Sequence, residues 1–274
     1  MWASLLLAFV IFALWETYCP RRALVASTAS RWGSHAVLWF LCSASAVWIF
    51  RASAVVVASA AGANRYGLLN RQAIPYWIRF IIAVLLLDLL RYGQHYAYHS
   101  VPVLWRFHQV HHADPDYDWS TSLRFHPGEG LLTQGVYLAV IALLAPPPLA
   151  VLCLGLADVV ENIFVHVNVA LPGWIDAGLR LWLVTPDMHR THHSEEISEQ
   201  NTNFGFMFPW WDRLFRTYQQ EPAAGHDNMR VGLREVDIKQ GVSLIGMLAQ
   251  PFRSASKITS EHPSVSMVQS QSGE

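Results

Sequence analysis

Ten of the 13 histidines in this chain lie between His95 and His193, and eight of these ten form three short clusters. The clusters are His95-x3-His99, His108-x2-His111-His112 and His189-x2-His192-His193. Residues three or four apart share one face of a helix, so each cluster presents two or three imidazoles on the same side. Neutral imidazole binds zinc, copper, iron and nickel. Eight imidazoles exceed the four ligands of one tetrahedral site, and the spacing therefore predicts two metal ions.

The single histidines differ in what their surroundings predict. His166 shares one helical stripe with Asp158 and Asn162 on an otherwise apolar segment. Polar groups at membrane depth are usually functional or paired, so we expect His166 to be a ligand, while a ligand role for Asn162, direct or through water, stays open. For His126, a ligand role and a structural role at the start of a helix both stay open. Structural roles are expected for the isolated residues His35, His226 and His262.

Carboxylates near the histidines are candidate supports, because a ligating histidine normally donates its second N–H to a carboxylate or a carbonyl. Asp88 precedes His95 by seven residues, two helical turns along the same face. It is expected either to pair with Arg91 or to support a histidine, and both alternatives stay open. Further candidate supports are Asp118, Glu129, Asp158, Glu161 and Asp187.

The composition of the whole chain indicates a membrane protein. Of its residues 53% are hydrophobic, 14% are charged and 12 are tryptophan, and the mean hydropathy is +0.24, whereas a soluble domain carries roughly 25% charged residues. The 19 basic and 20 acidic residues nearly cancel, which argues against nucleic-acid binding through a basic surface. The apolar and aromatic content excludes a disordered chain. Cys19, Cys42 and Cys153 lie far apart in the sequence, so we expect neither a disulfide framework nor a cysteine-based metal site.

Five segments are apolar enough to be membrane helices, namely residues 2–18, 35–61, 74–94, 131–145 and 149–166. A spanning helix needs about 20 predominantly apolar residues. We interpret residues 2–18 as a retained membrane helix rather than a signal peptide, since no basic residue precedes them. Arg51 interrupts the second segment and is expected to reach the interface or to face protein. The last two segments, joined by Pro146-Pro147-Pro148, predict either a spanning hairpin or a shallower one.

Basic residues predict the orientation of these helices, because they collect on the cytoplasmic side. Arg21, Arg22 and Arg31 lie between the first two segments, and this topology puts the histidine clusters at the same, cytoplasmic face. We therefore predict an all-α integral membrane bundle of about four to five membrane helices with a cytoplasmic, histidine-rich helical cap. The expected divisions are N-terminal membrane helices at 1–73, a catalytic domain at 74–220 and a partly disordered tail at 221–274. Such a protein would be multi-pass, in the inner or plasma membrane of a bacterium or the endoplasmic reticulum of a eukaryote.

The motifs around the histidines resemble a known family. They read Asp88-Leu-Leu-Arg-Tyr-Gly-Gln-His-Tyr-Ala-Tyr-His, Leu-Trp-Arg-Phe-His-Gln-Val-His-His and Leu-Arg-Phe-His-Pro-Gly-Glu, followed by Gln-Asn-Thr-Asn-Phe-Gly-Phe and Trp211-Asp-Arg-Leu-Phe-Arg-Thr-Tyr218. Over roughly residues 5–218, this pattern resembles the fatty acid hydroxylase superfamily and most of all its bacterial sterol-desaturase-like members. Arg216 stands where the family usually has glycine, and some members have a histidine at the position of Asn162.

The resemblance implies an integral membrane enzyme with two non-haem iron ions, which uses O2 and two electrons to hydroxylate or desaturate a lipid such as a sterol or a fatty acyl chain. The lipid would come from the bilayer. The implied iron ligands are His95, His99, His108, His111, His112, His166, His189, His192 and His193. The sequence has no haem-binding domain, flavin or dinucleotide fingerprint or cysteine cluster. A separate electron-transfer protein is therefore expected, such as a ferredoxin, a rubredoxin or a cytochrome b5-like protein with its reductase.

Two other functions are compatible with histidines in a membrane protein. A histidine-rich metal transporter or sensor should carry its ligands near the middle of the bilayer, whereas these histidines lie at the ends of segments. A membrane zinc hydrolase needs few histidines and a carboxylate base, and nine histidines exceed that need. Several aromatic residues are expected either to line an apolar corridor to the metals or to anchor the chain at the interface. These residues are Trp105, Phe107, Tyr117, Trp119 and Trp182.

Overall fold

The computed structural model describes residues 2–64, 66–70 and 73–253. Within these ranges the chain is helical and forms no β-strand, only one isolated antiparallel bridge between Ser194 and Val231. The α-helices are α1 Trp2–Tyr18, α2 Thr28–Phe50, α3 Ala54–Ala63, α4 Tyr76–Ser100, α5 Pro102–His112, α6 Pro127–Leu144, α7 Pro148–His166, α8 Gly173–Leu179, α9 Pro186–His192, α10 Ile197–Gln200, α11 Trp210–Phe215, α12 Ile238–Val242 and α13 Leu244–Ala249. Two 3₁₀ helices lie at Trp119–Leu123 and Gln250–Phe252. The expected all-α fold is confirmed; His262 and residues 254–274 of the expected tail lie outside the described residues.

Three helical segments are long and apolar enough to cross a membrane: Thr28–Ala63, Pro127–Leu144 and Pro148–His166. α6 has 18 residues and α7 has 19. At about 1.5 Å per residue each helix approaches the roughly 30 Å thickness of a hydrocarbon core, so the hairpin has spanning length. α1, with 17 residues, and α4, which carries three charged residues along its length, are not among the three segments. A helical membrane fold is therefore confirmed, and the number of crossings stays a prediction.

The segment that was expected to be one helix over 35–61 is two helices. α2 ends at Phe50, because Arg51 adopts a left-handed backbone (φ 50°) that ends the helix. Ser53 then caps α3 by accepting a hydrogen bond from the N–H of Val56. Arg51 is exposed at this break. The expectation of a continuous helix was wrong because the apolar pattern on either side of Arg51 cannot reveal a reversal of backbone handedness at a single residue.

Small buried residues allow the membrane helices to pack closely. α3 and α4 each contact both α6 and α7. Ala58 on α3, Ala83 on α4 and Ala150 on α7 are completely buried in this core, beside Leu87 and Ile141. Small side chains bring helix backbones close together, which matters in lipid because lipid provides no hydrophobic force between helices. This packing holds α4 and α7, which carry histidines at their C-terminal ends, side by side.

A buried charge network fastens the segment 113–124 to α2. Arg31 Nη2 lies 2.8 Å from Asp114 Oδ2, and Arg31 Nη1 lies 2.6 Å from Asp118 Oδ2. Burial alone would raise the pKa of Asp114, but the adjacent Arg31 guanidinium holds this pKa below its ordinary value. Buried charges are tolerated when they are paired in this way. The network therefore holds the chain that directly follows the second histidine cluster.

Candidate metal centre

Four helices bring nine histidine side chains into one buried cluster. The rings form two groups, and within each group one nitrogen atom of each ring lies within 4.8 Å of those of the others. The first group contains His95, His99, His108, His112 and His192. The second group contains His111, His166, His189 and His193. The structure thus brings together all nine residues that were predicted to be ligands from the spacing of the histidines and from the family resemblance.

Helix geometry explains how α5 contributes to both groups. α4 supplies its two histidines to the first group, and α7 supplies its last residue, His166, to the second. In α5, His108 and His112 are four residues apart and share the face that meets the first group. His111 points to the second group from the adjacent face, where the ring of Phe125 stacks on it at a centroid distance of 4.4 Å.

α9 and the residue that follows it, His193, divide their histidines in the same way. His189 and His193 are four residues apart and belong to the second group, whereas His192 belongs to the first. The buried guanidinium of Arg190 holds this short helix in place by donating to the carbonyls of Val167 (3.2 Å) and Val169 (3.1 Å). These carbonyls directly follow α7, so α9 is fixed to the end of the helix that carries His166.

The spacing of the ring nitrogens fits shared ligation of metal ions. Nε2 of His99 lies 3.1 Å from Nε2 of His112, and Nε2 of His166 lies 3.2 Å from that of His111 and 3.1 Å from that of His189. Two imidazole nitrogens bound to one ion at about 2.1 Å lie roughly 3 Å apart. An all-imidazole donor set suits iron, zinc, copper or nickel. The residues present therefore fit two metal ions.

Backbone carbonyls hold several of these rings in one tautomer. The Nδ1–H groups of three histidines donate to carbonyl oxygens: His95 to Phe204 (3.0 Å), His166 to Asn162 (2.6 Å) and His192 to Thr202 (2.7 Å). A carbonyl can only accept, so Nδ1 carries the proton and Nε2 keeps its lone pair. Nε2 of His192 is buried and has no hydrogen-bond partner within the described ranges. Such outer contacts orient metal-binding imidazoles.

Glu129 is the carboxylate that reaches the histidines. Its Oε1 accepts a hydrogen bond from His108 Nδ1 at 2.7 Å, and both side chains are buried. Nε2 of His108 is left without a hydrogen-bond partner in the described part of the chain. Tyr98 braces the pair, because its ring stacks on His108 and its hydroxyl donates to the Glu129 carbonyl at 3.2 Å. In the sequence, only the position of Glu129 three residues after His126 indicated that its carboxylate could support a histidine.

Asp88 contacts neither Arg91 nor a histidine within the described residues, and both expectations for it were wrong. Its carboxylate accepts hydrogen bonds from the backbone N–H groups of Met207 (3.1 Å) and Phe208 (3.3 Å) and from the indole of Trp211 (2.7 Å). These partners follow Asp88 by about 120 residues, so no local spacing could have revealed them. Asp88 fastens the segment 207–211 onto α4.

Two further candidates have structural contacts instead of ligand positions. The side-chain amide of Asn162 donates to the carbonyl of Ser122 at 2.9 Å, and Asn162 belongs to neither histidine group. His126 caps α6, since its Nδ1 accepts a hydrogen bond from the N–H of Gly128 at 3.0 Å. Of the two roles left open for His126, the structural one matches these contacts.

The other candidate carboxylates lie outside the two groups as well. Asp118 pairs with Arg31, and Asp187 pairs with Arg21 at 2.9 Å and with Arg190. Glu161 is buried on α7, and its Oε1 has no hydrogen-bond partner among the residues described. The isolated histidines have partners away from the metal-binding groups: His35 with Ser120 (2.9 Å) and Arg124 (3.1 Å), and His226 with Glu221 (2.8 Å).

Burial keeps the histidines of the cap neutral. Loss of hydration, together with the neighbouring imidazoles, lowers the pKa of His192 to about 3 and the pKa values of His112 and His193 well below their ordinary value. Histidine binds a metal ion only in its deprotonated form. The cluster therefore presents neutral rings, ready to bind metal, at neutral pH.

An elongated cavity of about 560 Å³ leads to these rings. Five histidines form one end of its wall: His95, His108, His111, His166 and His189. Most of the rest of the wall comes from α2, the start of α3, α4, α6 and α7, together with residues of the segment 122–125 and Phe206, and it is mostly apolar, for example Cys42, Val55 and Leu156. Arg91 and Asp158, whose side chains are 3.4 Å apart, are charged residues of this wall.

The aromatic residues of this wall are not the expected ones. In the part of the chain that the structure describes, the wall is formed by Trp39, Tyr98, Phe125, Tyr137 and Phe206, and by none of the five aromatic residues proposed from the sequence. Of those five, Trp105 packs on His99, Phe107 on His126, Tyr117 on His166 and Trp119 on Phe9, whereas Trp182 is 63% exposed. Residues from separate parts of the chain form the wall, so the sequence motifs alone could not identify them.

The comparisons with known proteins agree with this geometry. Residues 80–217, half of the chain, match the sequence model of the family described as fatty acid hydroxylase. The chain belongs to this family. The matched range contains all nine clustered histidines.

Three relatives show how far the similarity extends. The chain is 28% identical over 178 residues to ornithine lipid hydroxylase OlsE of Rhizobium tropici, covering 65% of this chain and 51% of that protein. It is 30% identical over 146 residues to alkylglycerol monooxygenase of Homo sapiens (51% of this chain, 30% of that protein) and 29% identical over 157 residues to that of Danio rerio (55% and 32%). The matched region thus spans about half of the first relative and about a third of the other two. No solved structure matches the chain.

Arg216 has a backbone conformation that favours glycine. It ends α11 with φ 61° and ψ 34°, in the left-handed region. Glycine adopts this conformation freely, whereas a residue with a Cβ is strained there. Arg216 therefore ends α11 at a conformational cost.

Proposed function

We propose that this chain is a membrane-bound non-haem di-iron monooxygenase that uses O2 and external electrons to hydroxylate a C–H bond of a lipid. Desaturation of the lipid is the variant reaction at the same site. The observation that carries the proposal is a mostly apolar cavity, walled by helices of membrane-spanning length, with nine histidines in two groups at its end. Membership of the fatty acid hydroxylase family supports it.

The two histidine groups would each hold one iron ion. Bound iron would supply the activation of O2, which amino-acid side chains cannot perform. In the overall reaction one oxygen atom enters the C–H bond as a hydroxyl, and the other leaves as water with two electrons and two protons. The ligands would be the nine clustered histidines, His95, His99, His108, His111, His112, His166, His189, His192 and His193.

The residues of the chain bind and orient the reactants. The carbonyls of Phe204, Asn162 and Thr202 and the Glu129 carboxylate fix the imidazole rings, so little reorganisation is needed during the reaction. The apolar walls of α2, α6 and α7 would exclude water around a lipid chain. The lipid would thereby be held with one carbon against the histidines.

The names of the relatives support a lipid as the substrate. One relative is named for the hydroxylation of an ornithine lipid, and others are named alkylglycerol monooxygenases. We propose a membrane lipid that carries long chains as the substrate class for this protein. Catalysis would reside in the domain at 74–220, with the histidines at the cytoplasmic face and the electrons delivered there by a separate electron-transfer protein.

Metal analysis and product analysis test this proposal together. The purified protein should contain about two iron ions per chain and should convert lipid in the presence of O2 and a reductase system to a product with one added oxygen atom, or with two hydrogens fewer if it desaturates. One tightly held zinc ion with hydrolytic activity would instead identify the zinc hydrolase, and metal flux without lipid oxidation would identify the transporter. Multiple turnovers with O2 but without a reductant would contradict the need for an electron donor.

A further inference from the structure

The cavity extends along α7, away from the histidines. From His166, its α7 wall runs through Val159, Gly155 and Leu152 to Val151. At about 1.5 Å per residue, Gly155 lies roughly 16 Å along the helix from His166. The long axis of the cavity therefore follows the helix axis, and Gly155 marks a point well beyond the reacting end.

The cavity also opens sideways. Trp39 on α2 and Leu152 and Val159 on α7 line it and are at the same time 51%, 37% and 46% exposed. α2 packs on α6, and α7 packs on α3 and α4, while the 3₁₀ helix Trp119–Leu123 packs on both α2 and α7. Away from this 3₁₀ helix, the exposed lining residues flank an opening between α2 and α7. Both helices belong to segments that can cross a membrane. In a chain whose α2 and α7 cross the membrane, this opening would face lipid.

Gly155 leaves room in this wall that packing does not require. A Cβ at this position would meet no heavy atom within 4 Å in the described part of the chain. Gly130 across the cavity is different, because a Cβ there would lie only 2.2 Å from Cys42 Sγ. Glycine inside a helix is less stable than alanine. The absence of a side chain at Gly155 therefore widens the cavity and does not stabilise the helix.

We infer that Gly155 determines the length of the lipid chain that the cavity accepts, and that this chain enters sideways between α2 and α7. The inference rests on the proposed function. With C–C bonds of about 1.5 Å, an extended alkyl chain advances roughly 1.3 Å per carbon, so about a dozen carbons separate the histidines from Gly155. Longer chains must pass Gly155, and shorter chains end before it. The neighbouring wall residues Leu152 and Leu156 are apolar, so selection there is by length and shape.

Gly155→Leu tests this inference, because the Cβ meets no heavy atom within 4 Å and the rest of the side chain would occupy the cavity beside Leu152 and Val159. The full chain in lipid nanodiscs is assayed for binding of 1-O-decylglycerol and 1-O-octadecylglycerol by displacement of tritiated 1-O-hexadecylglycerol. Each buried methylene contributes roughly fourfold in affinity. The variant should therefore bind the octadecyl lipid at least about tenfold more weakly than the wild type, while its affinity for the decyl lipid stays within about twofold.

Gly93→Leu is the matched control. Gly93 also lies in a long helix, and a Cβ added there would meet no heavy atom within 4 Å among the described residues. It lines a separate groove on another face of α4, beside Leu89 and Tyr96. This variant should bind both lipids as the wild type does.

Several outcomes would overturn the inference. The two variants could lose the same affinity for the octadecyl lipid, or Gly155→Leu could lose the same affinity for both lipids. Gly155→Leu could also bind the octadecyl lipid as the wild type does, or the wild type could bind neither lipid. If the affinity of the wild type depended on chain length as expected but neither lipid was oxidised, the proposed function would be contradicted and the inference about Gly155 would stand.

Discussion

Replacing Glu129 probes whether the contact to His108 supports a metal ligand. In Glu129→Ala the buried Nδ1–H of His108 loses its acceptor at 2.7 Å. In Glu129→Gln an oxygen can still accept that hydrogen bond, but the negative charge is gone. We therefore expect the alanine variant to bind iron more weakly than the glutamine variant, and the glutamine variant to bind it more weakly than the wild type.

The size of the effect follows from the burial of the pair. Loss of a carboxylate that holds a metal-binding histidine typically weakens metal binding or activity by about 10- to 100-fold, or roughly 1.4 to 2.7 kcal/mol. Leaving a buried donor unpaired costs about 1–3 kcal/mol of folding stability. This is less than the stability of a typical domain, about 5–15 kcal/mol. The alanine variant should therefore fold and still lose iron faster than the wild type.

The assay is iron release to a chelator, followed by absorbance, on protein purified in detergent. Glu221→Ala is the control, because the half-exposed Glu221 carboxylate lies 2.8 Å from a histidine, His226, that belongs to neither metal-binding group. The control should release iron at the wild-type rate. If Glu129→Ala retained iron as long as the wild type while remaining folded, the assignment of His108 and Glu129 to a metal site would be refuted.

Three further variants report on other parts of the molecule. His111→Ala should abolish lipid oxidation and reduce bound iron, whereas His226→Ala should keep full turnover; equal activity of the two in a product assay would contradict the site. Arg216→Gly removes the strain of a left-handed residue and should stabilise the fold by about 1 kcal/mol, a rise of roughly 2–4 °C in the thermal midpoint; an unchanged or lower midpoint would contradict this. Burial raises the pKa of Asp212 to about 6, so the folded state holds this proton more tightly than the unfolded chain. The thermal midpoint should then fall as the pH rises from about 4 to 6 and level off above that, and Asp212→Asn should flatten this slope.

Local spacing was enough to predict the histidine-bearing faces of the helices. His108 and His112, or His189 and His193, are four residues apart, and helical geometry alone puts each pair on one side. The expected membrane topology, which puts all the clusters at one face, predicted that they would meet. It could not predict that α5 and α9 each divide their histidines between two groups, because that depends on how the helices are rotated against one another in the packed bundle.

Contacts between distant parts of the chain could not be predicted from the sequence. Asp88 meets the backbone about 120 residues later, and a single sequence carries no signal that links two such positions. The break at Arg51 was missed because hydropathy does not distinguish a continuous apolar helix from two helices joined by a left-handed residue. The cavity wall was missed for a related reason, since its residues come from separate helices and share no motif.

The division of the histidines on α5 and α9 has a consequence for how the protein would be loaded. Each of these helices supplies ligands to both groups, so an ion bound in one group restrains the rotation of helices that also serve the other. The first ion would therefore lower the ordering cost for the second, and linkage requires that the benefit be mutual. When iron is scarce, a population of such molecules would separate into empty and fully loaded chains, with few that hold a single ion. The switch from inactive to active protein would then be steep in iron concentration.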